Sequence, residues 1–494
     1  MKQFFKSFLV VLLLVLSLTL VACGDKGNKP SEDDLYWDKD ENGIPDWQEE
    51  EVTITFATWA YNNPDAQTID TLLVDAFMEK YPNITVEMQI VGGSDIQWDM
   101  NLNNLFSEGE MPDVFLINRM ESFVTRGILA DLTEMYDHDP DSEYIFDSVK
   151  DLGLYEGKRY VIPTYLYPAF WVVNKSLLRA SNVTQMPTYS WTWEEMEAIA
   201  KQVASSSSTT HNIGVFGTAQ YYYEYPKVLE NRTNPDNSWY AFGFDGQQFN
   251  FNSASFTTAM NNLETAVKAG YVVDLEKVGD AEKKEWYGDS SIDPRFGGYV
   301  GIWRQMSWEF KNNMDSINFD YDIYPAPDGV GMANTDIAGV YALSEHKQAA
   351  YQLLKWMSYS EEGVKTRYQL YEDYSEDVEI SGNNFPFPIV DYGYDANGIN
   401  QIWDNIPYGK GADGIPGLAS PEFIESLRNA AIQANKEVIG WDAATTRVEY
   451  EYLKEVAYGN KSYEAMKSVV QDAAMKAFND AREAAKNSDT GEVE

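Results

Sequence analysis

One cysteine in 494 residues excludes an internal disulfide. Histidine is nearly as scarce. His138, His211 and His346 lie far apart, and no pair has the i,i+4 spacing of a helical zinc site. Positive charge is the next shortage: 37 lysines and arginines face 78 carboxylates, a formal net charge of -41. A chain this acidic repels polyphosphates and anionic lipid, so nucleic acid is excluded as a partner class. No Gly-x-Ser-x-Gly elbow, phosphate loop or dinucleotide fingerprint occurs. After the first 22 residues, no apolar run is long enough to span a bilayer.

Those first residues account for the lone cysteine. Lys2 and Lys6 precede the apolar run FLVVLLLVLSLTLVA, which ends in Leu20-Val21-Ala22-Cys23-Gly24. This has the form of a signal peptide (residues 1–22) and resembles the lipobox of bacterial lipoproteins, which makes Cys23 the lipidation site. Lipid anchoring on the extracytoplasmic face of the cell membrane is the expected location. Residues 23–51 read as a polar tether.

Within the tether, DKDENGIPDWQE spaces its oxygen ligands as a calcium loop does. Asp38, Asp40, Asn42, Asp46 and Glu49 would supply side-chain oxygens, Ile44 its carbonyl, and Gly43 the sharp turn. Pro45 departs from the EF-hand pattern and fits the thrombospondin type 3-like one, and no helix is evident before Asp38. The role expected is structural: calcium would stiffen the join between tether and first strand.

Hydrophobic residues form 44% of the chain and aromatics 14%, a globular composition long enough for two lobes. Strands alternate with amphipathic helices, which predicts an α/β fold. VTITFATW, ITVEMQIV and MPDVFLI read as strands, with a helix through Ile69, Leu72, Leu73, Ala76 and Phe77 between the first two. Past Pro163 the pattern restarts with TYLYPAFWVVNKSLL. Thr192 and Glu195 form a capping box ahead of Met196, Ile199 and Val203. GYVGIW, FDYDIYPAP and GVYALS read as further strands, followed by AAYQLLKWM, a C-terminal helix through Met466 to Ala477, and a polar tail, 487–494.

The ordered series VTITFATW, AFMEKYPNITVEMQIV, MPDVFLIN, GILADLTEM, YEGKRYVIPTYLYPAFWVVNKSLL, SWTWEEMEAIAKQVA, GGYVGIWRQMSWEF, FDYDIYPAP and GVYALSEHKQAAYQLLKWMSYSEEGV resembles the family 1 extracellular solute-binding proteins of ABC importers, the group that includes maltose-binding protein. The resemblance runs from about Val52 to the C-terminal helix. It implies a two-lobe, type II periplasmic-binding-protein-like fold with ligand in the cleft between lobes. It places crossings near Val161–Thr164, Tyr324–Pro327 and Tyr368–Tyr374, so that 52–163 with 326–370 forms one lobe and 164–323 with 371–486 the other. It implies a monomeric binding protein, not an enzyme, that closes about a hinge and hands its solute to an ABC permease.

A sugar cleft needs flat apolar faces together with carboxylates, amides and guanidinium groups. Family position aims Trp59 and Tyr61 at the cleft, with Asn118 and Arg119 after the third strand. In the second lobe the candidates are Tyr165, Tyr167, Tyr222, Tyr223, Trp239, Trp303 and Arg304, with Trp303 as aromatic platform. Each also has a core or surface reading, and Trp171 and Trp356 read as core. The aromatic richness favours a carbohydrate, and the added length an oligosaccharide. A glycosidase remains the rival class, since two carboxylates across a sugar can always be found among so many, and a peptide, polyamine or polyol remains the rival ligand.

Overall fold

A computed structural model describes residues 31–489 apart from 66, 206–210, 310–316, 378–379, 381–385, 394–400, 405–419 and 434–437. The lipobox with Cys23, the serine run past Ser205, much of 374–413 and the end of the tail lie outside the described residues. The described residues up to Glu49 form one compact unit and those from Glu50 onward another.

In the first unit, helix α1 (Glu32–Trp37) runs directly into Asp38, capped by reciprocal bonds between Ser31 and Asp34. This corrects the expectation of no helix there. The cap residue and the acidic first turn stabilise a helix too short to show periodicity.

The second unit is built on one long mixed sheet. Its order is β2 (Ile84–Met88), β1 (Val52–Ala57), β3 (Val114–Ile117), β11 (Met332–Val340), β6 (Val161–Val173), β9 (Val300–Met306), β7 (Ile213–Phe216), β8 (Val272–Val273). β10 (Asp322–Tyr324) pairs with β6 and β12 (Ala431–Ile432) with β11, while β4 (Leu154–Tyr155) and β5 (Lys158–Arg159) form a separate hairpin. The helices used below are α2 (Ile69–Lys80), α3 (Asp95–Glu108), α4 (Glu121–Thr125), α5 (Trp193–Ser205), α6 (Tyr225–Asn231), α7 (Ala254–Lys268), α8 (Lys347–Ser358), α9 (Glu361–Asp373), α10 (Trp441–Val448) and α11 (Lys467–Asp489).

β6 joins the two halves of this sheet. Val161–Pro168 pairs with β11, and Ala169–Val173 pairs with β9. The pattern therefore does not restart at Pro163: one strand runs through both prolines. Pro163 lies where the β6–β11 register shifts, and Pro168 where the partner changes, the two places in a strand that can spare an N–H.

Each half has its own core. Trp98, Phe115, Ile117, Phe123 and Ile337 are buried together beside the first half. Around the second half of β6, Trp171 meets Trp191 and Trp193 edge-on, and Trp193 stacks on Tyr225 of α6 at 4.0 Å. Trp171 is buried here and Trp356 in the first half. The capping box at Thr192 and Glu195 forms both bonds and starts α5. α5 lies so close on β7 that a Cβ at Gly214 would come 2.3 Å from the Ala200 carbonyl oxygen.

Candidate functional site

β1 and β3 are parallel neighbours, so their carboxyl ends release two turns at one edge, the usual place for a ligand in an α/β sheet. Thr58 anchors the first turn. Its buried hydroxyl donates to Asp70 at 2.7 Å; Asp70 accepts from Arg367 at 2.8 Å, and Arg367 donates to the Tyr165 hydroxyl at 2.9 Å. This fixes Trp59, whose ring packs on Trp98 and whose indole N–H donates to Asp336 of β11 at 3.3 Å. Tyr61 follows, half-buried, its amide bonded to the Thr58 carbonyl at 3.1 Å.

The second turn carries Asn118 and Arg119. The Asn118 amide donates to Asp99 of α3 at 3.0 Å. Burial pushes the Asp99 carboxyl up to about 6, although the Asn118 amide and the Arg119 charge pull it down. Arg119 reaches Asp442 of α10 at 3.2 Å. Glu121 accepts from the Gly440 amide; burial raises its pKa, the Arg119 charge opposes that, and the Asp442 charge adds to it. A cavity of about 200 Å3 opens here, lined by Arg119 and Glu121 on one side and Ile439, Gly440, Asp442 and Ala481 on the other.

Across the sheet, Tyr165 faces Asp336 and Tyr167 faces Asn334 in the β6–β11 register. The Tyr167 ring meets Trp308 edge-on at 5.8 Å. Back along β9, Arg304 pairs with the buried Glu224 and lies 5.4 Å from the Tyr223 ring centre. Tyr222 and Tyr223 donate their hydroxyls to Glu449 at 3.0 and 3.3 Å. Burial raises the Glu449 pKa and those hydroxyls lower it. Glu449 opens a π-helical segment, Glu449–Leu453, a helix irregularity often found at functional sites. Tyr223 also packs on Phe242, and Phe242 on Trp441, the first residue of α10. Asp442 comes next and holds Arg119. Joined by the chain between Arg304 and Trp308, and by the neighbours Asp99 and Trp98 between Asn118 and Trp59, these contacts form a circuit through both sheet halves.

Seven predicted residues lie on this circuit or at its turns with part of their surface open: Trp59, Tyr61, Asn118, Arg119, Tyr167, Tyr223 and Arg304. Four others are corrected to buried residues: Tyr165, Tyr222, Trp239 and Trp303. Trp303 is fully buried, perpendicular to Phe296. β9 continues to Met306, so the tryptophan just beyond the strand is Trp308. The sequence reading missed Trp308, Asp336, Phe242, Trp441 and Glu449. The repeat of tryptophan five residues after Trp303 was a usable signal; the others come from segments distant in sequence.

A larger cavity of about 440 Å3, between α2, α8 and α9, shares no residue with the circuit. Its lysines are already paired: Lys80 with Glu362, Lys355 with Asp139 and Asp141, Lys365 with Glu361.

In the separate N-terminal unit, Asp38, Asp40 and Asp46 each place a carboxylate oxygen within 4.8 Å of the others. Asp38 accepts from the Gly43 amide at 2.7 Å, Asn42 from the Ile44 amide at 2.8 Å, and Asp46 from the Lys39 amide at 3.1 Å. Gly43 turns the loop at φ 89°. The donor set, all oxygen and strongly anionic, suits a hard cation.

Comparison with known proteins follows the same lines. The sequence profile described as "Bacterial extracellular solute-binding protein" matches residues 59–364. No curated protein matches the chain significantly. Among solved structures, the fold is similar to an ABC substrate-binding protein from Listeria monocytogenes in complex with cycloalternan (20% identity, TM-score 0.56, 87% of this chain and 100% of that one). It is similar to a sugar transporter protein from Rhizobium etli in an open conformation (18% identity, TM-score 0.62, 86% and 99%). It is also similar to the sugar-binding protein MalE from Xanthomonas citri (17% identity, TM-score 0.61, 87% and 98%).

Proposed function

Because the chain belongs to the bacterial extracellular solute-binding proteins, we propose that it captures a carbohydrate, of oligosaccharide size, and delivers it unchanged to the permease of an ABC importer. The observation that carries this reading is the circuit itself. It sets the partly exposed residues Trp59, Tyr167, Trp308 and Tyr223 among carboxylates and guanidinium groups drawn from both sheet halves. Aromatic faces take the C–H faces of sugar rings, and the charged groups take hydroxyls. Residues 52–163 with 326–370 act as one lobe and 164–323 with 371–486 as the other. Ligand touching both stabilises the closed state by the difference in its affinity for closed and open forms. Anchoring through Cys23 keeps this monomeric body beside its permease.

Melting temperature against a panel of mono- and oligosaccharides tests the reading. A ligand at 100 times its Kd stabilises the folded state by about 2.7 kcal/mol. A shift of several degrees with one sugar class, and recovery of that sugar uncut, supports it. No shift with any sugar, against a clear shift with peptides, polyamines or polyols, replaces it.

For the N-terminal loop we propose a structural calcium site formed by Asp38, Asp40, Asn42, Ile44, Asp46 and Glu49. Calorimetry with calcium on the wild type and on Asp40→Ala decides this. Equal binding by the two proteins removes the site.

A further inference from the structure

The circuit has a charge balance that bears on which sugars it accepts. Its guanidinium groups are held by the protein's own carboxylates, Arg119 by Asp442 at 3.2 Å, Arg304 by buried Glu224 and Arg367 by Asp70 at 2.8 Å. Lys454, the cation beside Glu449, is bound to Glu276. Beyond the carboxylates used in these pairs, Asp336 meets Trp59, Glu449 meets Tyr222 and Tyr223, and Glu309 stands exposed next to Trp308. Glu309 also accepts the Gln305 amide N–H at 2.6 Å.

We infer that the cleft is built for a glycan without anionic groups, and that Asp336, Glu309 and Glu449 are the specificity-determining residues that turn away uronates and sulfated sugars. An acidic ligand would normally be met by a free arginine or lysine. Here it would meet like charge, and rejection by like charge is a common source of specificity. Hydroxyls and ammonium groups, by contrast, bring donors that the carboxylates accept.

This inference rests on the carbohydrate reading above, and one experiment separates the two. Binding is measured by calorimetry, at neutral pH and low salt, for three sets of oligosaccharides of matched length: neutral, glucosamine-containing and uronate-containing. The expected result is binding of a neutral or glucosamine-containing oligomer, with the matched uronate weaker by about tenfold or more. Glu309→Gln, which keeps an oxygen to accept the Gln305 N–H, narrows that gap, and Asp336→Asn narrows it further. Uronate binding as tight as its neutral counterpart overturns the inference and leaves the carbohydrate reading standing. A gap that neither substitution changes overturns the assignment to these residues. No binding by any set removes the carbohydrate reading and this inference with it.

Discussion

At the scale of single residues, two tryptophans five apart have opposite duties. Trp303 fills the core and Trp308 stands at the rim beside Tyr167. Trp308→Ala is expected to weaken ligand binding by about tenfold or more while shifting the ligand-free melting temperature little. Trp303→Ala is expected to destabilise the fold by about 3–5 kcal/mol. Thermal melts with and without sugar distinguish them. Composition and family position pointed to this stretch, but which tryptophan faces out depends on where β9 ends, and that is set by its pairing with β6. Asp99 supplies a pH prediction. Its folded-state pKa, about 6, lies above the ordinary carboxylate value of 3.8. The folded protein therefore holds this proton longer than the unfolded chain, and the group's contribution falls as pH rises between those values. Asp99→Asn should melt like the wild type near pH 3 and higher than it at pH 7. A variant that is less stable at pH 7 would show that the ionised carboxylate is favoured where it stands.

At the scale of elements, legibility followed hydrophobic pattern. VTITFATW, ITVEMQIV and MPDVFLI became β1, β2 and β3, and the capping box became the start of α5. β11 was placed too late. GVYALS covers only its last residues, because the strand runs through MANTDIAGV, where Asn334, Thr335 and Asp336 interrupt any apolar alternation. Those polar residues sit where Trp59 and Tyr167 converge, so the site itself hid the strand. β6 erred the other way: its prolines read as a break, and the structure uses them at a register shift and a change of partner. The contact of α5 with β7 gives a prediction at this scale. Gly214→Ala would force the helix away from the strand, since the new methyl would lie 2.3 Å from one carbonyl oxygen and 2.7 Å from another. A loss of about 1–3 kcal/mol in denaturant unfolding is expected, and a neutral result would mean that α5 can slide at little cost.

For the whole molecule, the net charge of -41 is the dominant long-range term. Self-repulsion opposes compaction and is screened by salt. Raising ionic strength from about 10 to about 300 mM should raise the melting temperature of the ligand-free protein, through a Debye length falling from about 30 to below 10 Å. A temperature that falls instead would show that ion pairs such as Arg119–Asp442 and Lys486–Glu156 outweigh the repulsion.

The order of strands has a consequence for how the chain must fold as it is made. β11 stands between β3 and β6 in the finished sheet, yet it is not synthesised until some 160 residues after β6 ends. The first half of the sheet therefore has an open seam while nearly the whole second half emerges. Closing that seam requires a long-range contact of the kind that slows folding. A fragment ending at Gly331 should lack a cooperative transition and resist refolding, whereas one extended beyond β12 should regain it. A chain whose earliest sheet waits on its later half should stay open to protease until β11 has been made, and a chain in that state can still pass through a narrow pore.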